Sequence, residues 1–272
     1  MTLKEKLAAC SRQGSALLAV NFYNFETLKG LLMAARSAKA PLILQLSESS
    51  LQYMGIRPAA AMARAMLSEF GVEGWLHLDH GSHLGLIASC LDAGFDSVMI
   101  DASEKPFAEN VDITRQAVRL AQAYGANVEA ELGYVAKLGQ DQKAEPTAAA
   151  DAQRFAAETG IDALAIAIGN AHGFYTEAPR LRLDRLRDIR AVTTCALVLH
   201  GSSGIPDDQL REAIRSGISK INLATETKNT FMKKLQSLLA ESDEIDLRKV
   251  FPPAIAAVEQ LIARKLSVIM GH

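Results

Sequence analysis

Three histidines stand at the ends of short apolar runs, each followed by glycine: His80 in Leu76-His77-Leu78-Asp79-His80-Gly81, His172 in Gly169-Asn170-Ala171-His172-Gly173, and His200 in Leu197-Val198-Leu199-His200-Gly201. Imidazoles drawn together in this way make an open zinc site, in which water or substrate takes the remaining position. The glycine after each lets backbone and ligand approach closely where a side chain would block them. A lone histidine is more often packed or exposed than a ligand, but the shared setting of these three favours the metal reading. Asp79 is read as an acid and base poised over bound substrate, or as a carboxylate that orients an imidazole. Asp101 and Glu131 also close apolar runs. Carboxylates buried there need a partner or a metal, so they hold the metal in an alternative position or support the histidines. Glu129 alternates with Glu131 and takes no assigned role. His77, His83 and His272 are read as structural or exposed, with His77 also a candidate partner behind the metal ligands.

Two small polar segments, His200-Gly201-Ser202-Ser203-Gly204 and Asn222-Leu223-Ala224-Thr225, follow the last two apolar runs. They bring backbone N–H groups, hydroxyls and an amide to the place where a (β/α)₈ barrel commonly binds phosphate. Ordinary turns with helix caps are the alternative for either segment alone.

Elements of the right kind must carry these residues to one place. Residues 16–21, 42–46, 75–79, 97–101, 127–131, 163–168, 196–200 and 218–222 are short, mostly continuous apolar runs and read as strands buried on both faces. Between them lie stretches with helical spacing, such as Leu28, Leu31, Leu32 and Ala35, or Val111, Thr114, Ala117, Val118 and Ala121. Gly71, Gly94, Gly125, Gly160 and Gly217 stand shortly before the next run, where a helix C-cap belongs. This alternation fits a (β/α)₈ barrel, which typically takes about 250 residues; a doubly wound open sheet is the alternative. Position favours the barrel. Asn21, Ser47, Asp79, His80, Asp101, Glu131, His172, His200 and Asn222 all fall at or just after the C-terminal end of a run, which is a barrel's active face. A single domain over 1–272 is expected, with an added helix over residues 254–265 after Phe251-Pro252-Pro253. Residues 102–110 and 133–151 are longer and more polar than ordinary connections and read as lids or as plain surface excursions.

Composition narrows the class. The chain has 272 residues, 49% hydrophobic and 22% charged, enough for a well-buried core. Its net charge of -2, without a basic block, argues against nucleic acid or an anionic membrane surface as partner. Cys10, Cys90 and Cys195 are scattered and odd in number, which fits reduced thiols in a cytoplasmic protein. The first residues do not read as a signal peptide, and no apolar stretch reaches membrane-spanning length.

Asn21 to Thr27, Gln45-Leu46-Ser47, Tyr53-Met54-Gly55, Leu78 to Gly81, Met99-Ile100-Asp101, Val128 to Gly133, Ala171-His172-Gly173, His200 to Gly204, Lys220-Ile221-Asn222 and Ala224-Thr225-Glu226 span nearly the whole chain. On these segments the chain resembles the class II, zinc-dependent ketose-bisphosphate aldolases, in the branch that holds fructose- and tagatose-bisphosphate aldolases. The resemblance implies zinc on His80, His172 and His200, Asp79 as proton donor and acceptor, and Asp101 and Glu131 as further metal-associated carboxylates. It implies that Gly173, Gly201, Ser202, Ser203, Asn222, Leu223, Ala224 and Thr225 contact the phosphate end of dihydroxyacetone phosphate. Asn21 and Ser47 join them as substrate-binding residues, and a monovalent cation is expected beside the phosphate; the partners the resemblance implies are a small-molecule sugar phosphate and further copies of the chain, as dimer or tetramer. The implied reaction is reversible cleavage of a ketose 1,6-bisphosphate to dihydroxyacetone phosphate and an aldehyde such as glyceraldehyde 3-phosphate, with zinc as Lewis acid.

This chain departs from the family at two places. Tyr134 to Asp141 stands where the family usually has a glycine pair followed by acidic residues, which leaves Asp141 the nearest candidate for that loop's part in proton transfer. Asn222-Leu223-Ala224-Thr225 resembles the tagatose type more than the fructose type. The competing readings are a zinc hydrolase on the same barrel, and a catalytically weak sugar-phosphate-binding relative or partner subunit.

Overall fold

Runs of apolar residues buried on both faces can pair only inside a shell of helices. In a computed structural model, which describes all residues except 134, 136–145, 176–178 and 272, they do so as a closed ring of parallel strands. The strands are β1 (Leu17–Asn21), β2 (Leu42–Ser47), β3 (Gly74–Gly81), β4 (Ser97–Ile100), β5 (Asn127–Leu132), β6 (Ala163–Ile166), β7 (Ala196–Leu199) and β8 (Ile218–Leu223). Each pairs with the next, and β8 closes on β1 with Leu17 beside Lys220 and Ala19 beside Asn222. The fold is a (β/α)₈ barrel, and the open sheet is excluded.

Helices α1 (Leu3–Gln13), α2 (Phe25–Ala38), α3 (Glu48–Met54), α4 (Ile56–Phe70), α5 (Leu84–Asp92), α6 (Phe107–Gln122), α7 (Ala149–Thr159), α8 (Leu183–Val192), α9 (Asp207–Arg215), α10 (Thr225–Glu241), α11 (Leu247–Val250) and α12 (Pro252–Met270) are the helices among the described residues. Local chemistry sets their ends. Thr2 and Glu5 form a capping box on α1, Asn24 and Thr27 form one on α2, and Gly71 closes α4 in the left-handed conformation. The closing helix is longer than the sequence implies: α12 begins at Pro252, whose fixed φ suits a first helical position, and packs on α2 and α10.

The connection 102–110 is not a long excursion. Ser103 folds back on Asp101, α6 already starts at Phe107, and Asn110 lies buried within it, donating to the Glu131 carbonyl. The connection 133–151 lies mostly outside the described residues, and Asp141 with it. At its near end Val135 is buried, and at its far end Thr147 donates to the Leu132 carbonyl.

Two apolar layers result. The outer one lies between strands and helices; the inner one fills the barrel with Leu17, Ala19, Ile43, Trp75, Met99, Ala163, Ala165, Ala196 and Val198, and α1 closes it from below with Leu3 and Leu7.

Candidate active site

At the C-terminal ends of the strands the interior turns polar. Asn21 of β1, Asp79 of β3 and Asn222 of β8 point inward by strand alternation. Asn21 Nδ2 donates to Asp79 Oδ2 at 3.0 Å and Asn222 Nδ2 donates to Oδ1 at 3.1 Å. Gln45 Nε2 in turn donates to Asn21 Oδ1 at 2.9 Å. Asp79 is thus clamped on both oxygens. Burial opposes its charge, but His80, His200, Lys220 and His77 outweigh that and hold the carboxyl down to about 2.

Regular alternation would send the next residue, His80, to the opposite face. Instead its φ is 106°, a left-handed value rare outside glycine, and the β3–β4 register shifts between Leu78 and Gly81. The irregularity brings His80 to the same cavity as Asp79. Its Nδ1 lies 2.7 Å from Asp101 Oδ2, which leaves Nε2 facing the other histidines. Burial disfavours the charged ring, yet Asp79 and the bond to Asp101 raise its pKa to about 9.

His172 and His200 come from the loops after β6 and β7. The Tyr175 hydroxyl fastens these loops together, accepting from Ala171 N at 2.7 Å and donating to the Gly201 carbonyl at 2.9 Å. Asn170 Nδ2 adds a bond to the His200 carbonyl. Gly201 has φ 63°, and a Cβ there would overlap the Ala171 carbonyl, so this close approach needs glycine. The three imidazole centroids lie 4.8 to 5.6 Å apart.

Ligand atoms of His80, Glu131, His172 and His200 all lie within 4.8 Å of one another. Three buried atoms there, His80 Nε2, His200 Nδ1 and Glu131 Oε2, have no hydrogen-bond partner. Orphaned ligand atoms converging on one point are costly in a plain core and suit a cation that displaces their protons. Nitrogen and carboxylate donors in this number fit zinc. Asp101 stands outside the group and orients His80 from behind. Burial, with the Asp101 charge behind it, pushes Glu131 up to about 8 in the protein without metal. Burial lowers His172 to about 3, so its ring is neutral.

Beside the cluster lies a narrow cleft lined by Asn21, Asp79, His172, Gly173, Gly201, Ser203, Asn222, Ala224 and Thr225. A larger groove at the opposite end of the barrel, lined by Met1, Trp75, Phe95 and Tyr124 among others, is remote from the histidines. Thr225 opens α10, and Ser203 Oγ accepts from Glu226 N, which sets a helix N-terminus at the cleft wall. Ser202 donates instead to the Asn222 carbonyl from both its hydroxyl and its N–H, and the Leu223 side chain packs in the outer core, so neither lines the cleft. Ser47 does not line the cleft; it caps α3, accepting from Ser50 N.

Several residues near the site go unassigned or unnamed in the sequence reading. His77 and Glu129 are fully buried below the cluster with Lys220, and burial followed by the Lys220 charge lowers His77 to about 3. Their signal was available: single polar residues at inward positions of apolar strands. Tyr23, which donates to the Ala224 carbonyl beside the cleft, and Tyr175 gave none, because their partners are remote in sequence. His83 is structural, the N-cap of α5, and His272 lies outside the described residues.

Residues 1–272 match the family described as class-II fructose-bisphosphate aldolase. The fructose-bisphosphate aldolase of Geobacillus stearothermophilus is 39% identical over 98% of this chain and 95% of its own length. A probable fructose-bisphosphate aldolase of Bacillus subtilis is likewise 39% identical, over 98% of this chain and 96% of its own. Among solved structures, the YdjI aldolase of Escherichia coli K12 superposes with a TM-score of 0.87 at 29% identity, covering 99% of this chain and 96% of that one. A putative fructose-1,6-bisphosphate aldolase of Coccidioides immitis gives 0.91 at 26% identity, covering 98% and 96%.

Proposed function

Because the chain belongs to the class II fructose-bisphosphate aldolase family, we propose that it cleaves a ketose 1,6-bisphosphate reversibly to dihydroxyacetone phosphate and an aldehyde such as glyceraldehyde 3-phosphate, using zinc held by His80, His172 and His200. The observation that carries this reading is the convergence of orphaned ligand atoms on His80, His200 and Glu131 beside an amide-clamped carboxylate. Zinc bound there supplies a Lewis acid for the substrate carbonyl. Glu131 adds a carboxylate to the cluster, and Asp101 fixes the His80 tautomer from behind.

The chain's own residues do the rest. Asp79, ionised and fixed by Asn21 and Asn222, takes the proton from the C4 hydroxyl as the C3–C4 bond breaks; the bond's electron pair stays with the three-carbon fragment, which takes up a proton at C3 to become dihydroxyacetone phosphate, and in condensation Asp79 returns its proton to the aldehyde oxygen. The N-terminus of α10, Ser203 and Thr225, with Gly173, Gly201 and Ala224 lining the same cleft, receives the phosphate, with a monovalent cation beside it, and Ser202 and Leu223 support that wall from behind. Asn21 contributes from the cleft wall. Ser47 acts at most through α3, which it caps.

The substrate is of the tagatose type, a reading supported by Asn222-Leu223-Ala224-Thr225. A coupled assay of the zinc-loaded protein on D-tagatose and D-fructose 1,6-bisphosphates, reading dihydroxyacetone phosphate release, is expected to give the higher kcat/KM on tagatose. The reverse order assigns it to fructose, and no turnover of either by the protein alone returns the weak relative or partner-subunit reading. Among the described residues no helix is long and apolar enough to cross a membrane. A cytoplasmic homo-oligomer completes the proposal, supported by exposed Met232, Leu239, Ile245 and Leu247 near the C-terminus.

A further inference from the structure

Below the metal cluster, inside a barrel otherwise filled by apolar side chains, runs a chain of polar groups. Ser97, His77, Lys220, Glu129 and His200 are all 0% exposed, and Asn127 only 2%. Asn127 Nδ2 donates to Ser97 Oγ at 3.0 Å, and Ser97 Oγ lies 2.8 Å from His77 Nδ1. Lys220 Nζ lies 3.2 Å from His77 Nε2 and 2.7 Å from Glu129 Oε2, and Glu129 Oε1 lies 2.9 Å from His200 Nε2.

Only one arrangement of protons fits these distances. An ammonium donates and never accepts, so His77 Nε2 is a lone pair and its proton sits on Nδ1, toward Ser97. An ionised carboxylate only accepts, so the proton of His200 sits on Nε2, toward Glu129. His200 Nδ1 is then a bare lone pair, and it is the atom that faces Glu131 Oε2 at 3.8 Å with no hydrogen-bond partner. A carboxylate at this depth is tolerable only against a counter-charge, which Lys220 provides.

We propose that Glu129, itself held by Lys220, is the positioning residue that presets His200 with Nδ1 toward the metal cluster before any metal arrives. The role rests on reading His200 as a metal ligand. It also removes Lys220 from the candidates for a covalent intermediate, since its ammonium is enclosed and does not line the cleft.

The test uses the full chain, stripped of metal by chelation and labelled with ¹⁵N-histidine. Long-range ¹H–¹⁵N spectra are expected to show His200 as the Nε2–H tautomer in the metal-free protein, and a mixture of tautomers in Glu129→Gln, whose amide can donate as well as accept. Zinc affinity, read by competition with a chromophoric chelator, should fall about 10- to 100-fold in Glu129→Gln. The double variant Glu129→Gln/Lys220→Met removes both buried charges together, so its thermal unfolding should recover toward that of the parent while its zinc affinity stays low. Parental zinc affinity in the double variant would reduce the pair to a support of the barrel, and the Nδ1–H tautomer in the metal-free parent would overturn the proposal outright. Failure of the parent itself to take up zinc would count against the metal centre, and the tautomer measurement would still judge Glu129.

Discussion

On β7, Val198 belongs to the apolar fill of the barrel and His200, two residues later, belongs to the cluster. On β3 the same change separates Trp75 from Asp79. The lower end is closed by α1 and gains stability from every side chain it buries. The upper end keeps buried lone pairs without partners and two groups, Glu131 and His80, whose protonation burial or neighbouring charge has displaced. Stability is concentrated where nothing reacts, and strain where chemistry is done.

Substitutions at the two ends should therefore fail in different measurements. The largest effect is expected for Asp79→Asn, which keeps the shape of the clamp and loses the base: kcat should fall about 10²- to 10⁴-fold, with zinc content and unfolding temperature unchanged. A loss of zinc in proportion to activity would make Asp79 part of the metal cluster instead. At the other end, Met99→Ala should cost about 2–5 kcal/mol in denaturant unfolding and leave kcat intact. If kcat falls as well, the two ends are coupled and the contrast between them fails.

Gly201→Ala sharpens the comparison within the upper end. The added methyl meets the Ala171 carbonyl at a backbone angle that L-residues disfavour, so the loops carrying His172 and His200 should part. Zinc affinity is expected to drop at least tenfold, with stability lowered by about 1–3 kcal/mol; an unchanged zinc affinity would show that the loops need no such contact.

Titration provides a finer probe. Glu131, at about 8 when folded against 4.5 ordinarily, keeps its proton where the unfolded chain has lost it, so its contribution to stability declines as pH rises from about 4.5 to 8. His80, raised from 6.5 to about 9, stabilises fully below 6.5 and loses that contribution as pH rises through 9. Below 6.5 the buried neutral rings of His77, His172 and His200, which the unfolded chain would protonate, act the other way, so metal-free protein should firm up toward about 6.5 and weaken from there toward 9. Zinc must displace both protons, so its affinity should climb over the upper part of that range. Unfolding curves with and without zinc across this range check both, and a metal-free protein that grows firmer as pH rises above about 6.5 would contradict the assignment.

The smallest effect is expected at the cleft wall. Thr225→Val should weaken dihydroxyacetone phosphate binding about tenfold, the cost of one hydrogen bond to a charged group, and leave unphosphorylated dihydroxyacetone almost unaffected. Equal weakening of both ligands would mean that Thr225 serves the start of α10 only.

The strands were legible because a parallel barrel buries both faces, and β1 to β8 all begin and end within two residues of the runs seen in the sequence. Asp79, His80, His172, His200, Asp101 and Glu131 were legible for a related reason: in this fold a polar residue closing an apolar run is already on the active face. What stayed hidden depends on contacts across long separations. Leu183–Val192, a helix with no counterpart among the stretches read from the sequence, carries three arginines over the buried Leu186 and Ile189. Tyr175 looks like any aromatic in a loop until it spans the loops of two ligands. The separate positions of Asp101, behind His80, and Glu131, within the cluster, follow from side-chain directions that spacing alone does not specify.

The left-handed backbone at His80 has a consequence for how this chain can change. A glycine would settle there with less strain, yet it would carry no imidazole to the cavity. Random substitution at this position is therefore drawn by folding toward the residue that ends the chemistry, and only selection on turnover holds histidine in place. A library randomised at position 80 and sorted first for solubility, then for activity, should give two disjoint sets of survivors, with the unmutated residue alone in the second.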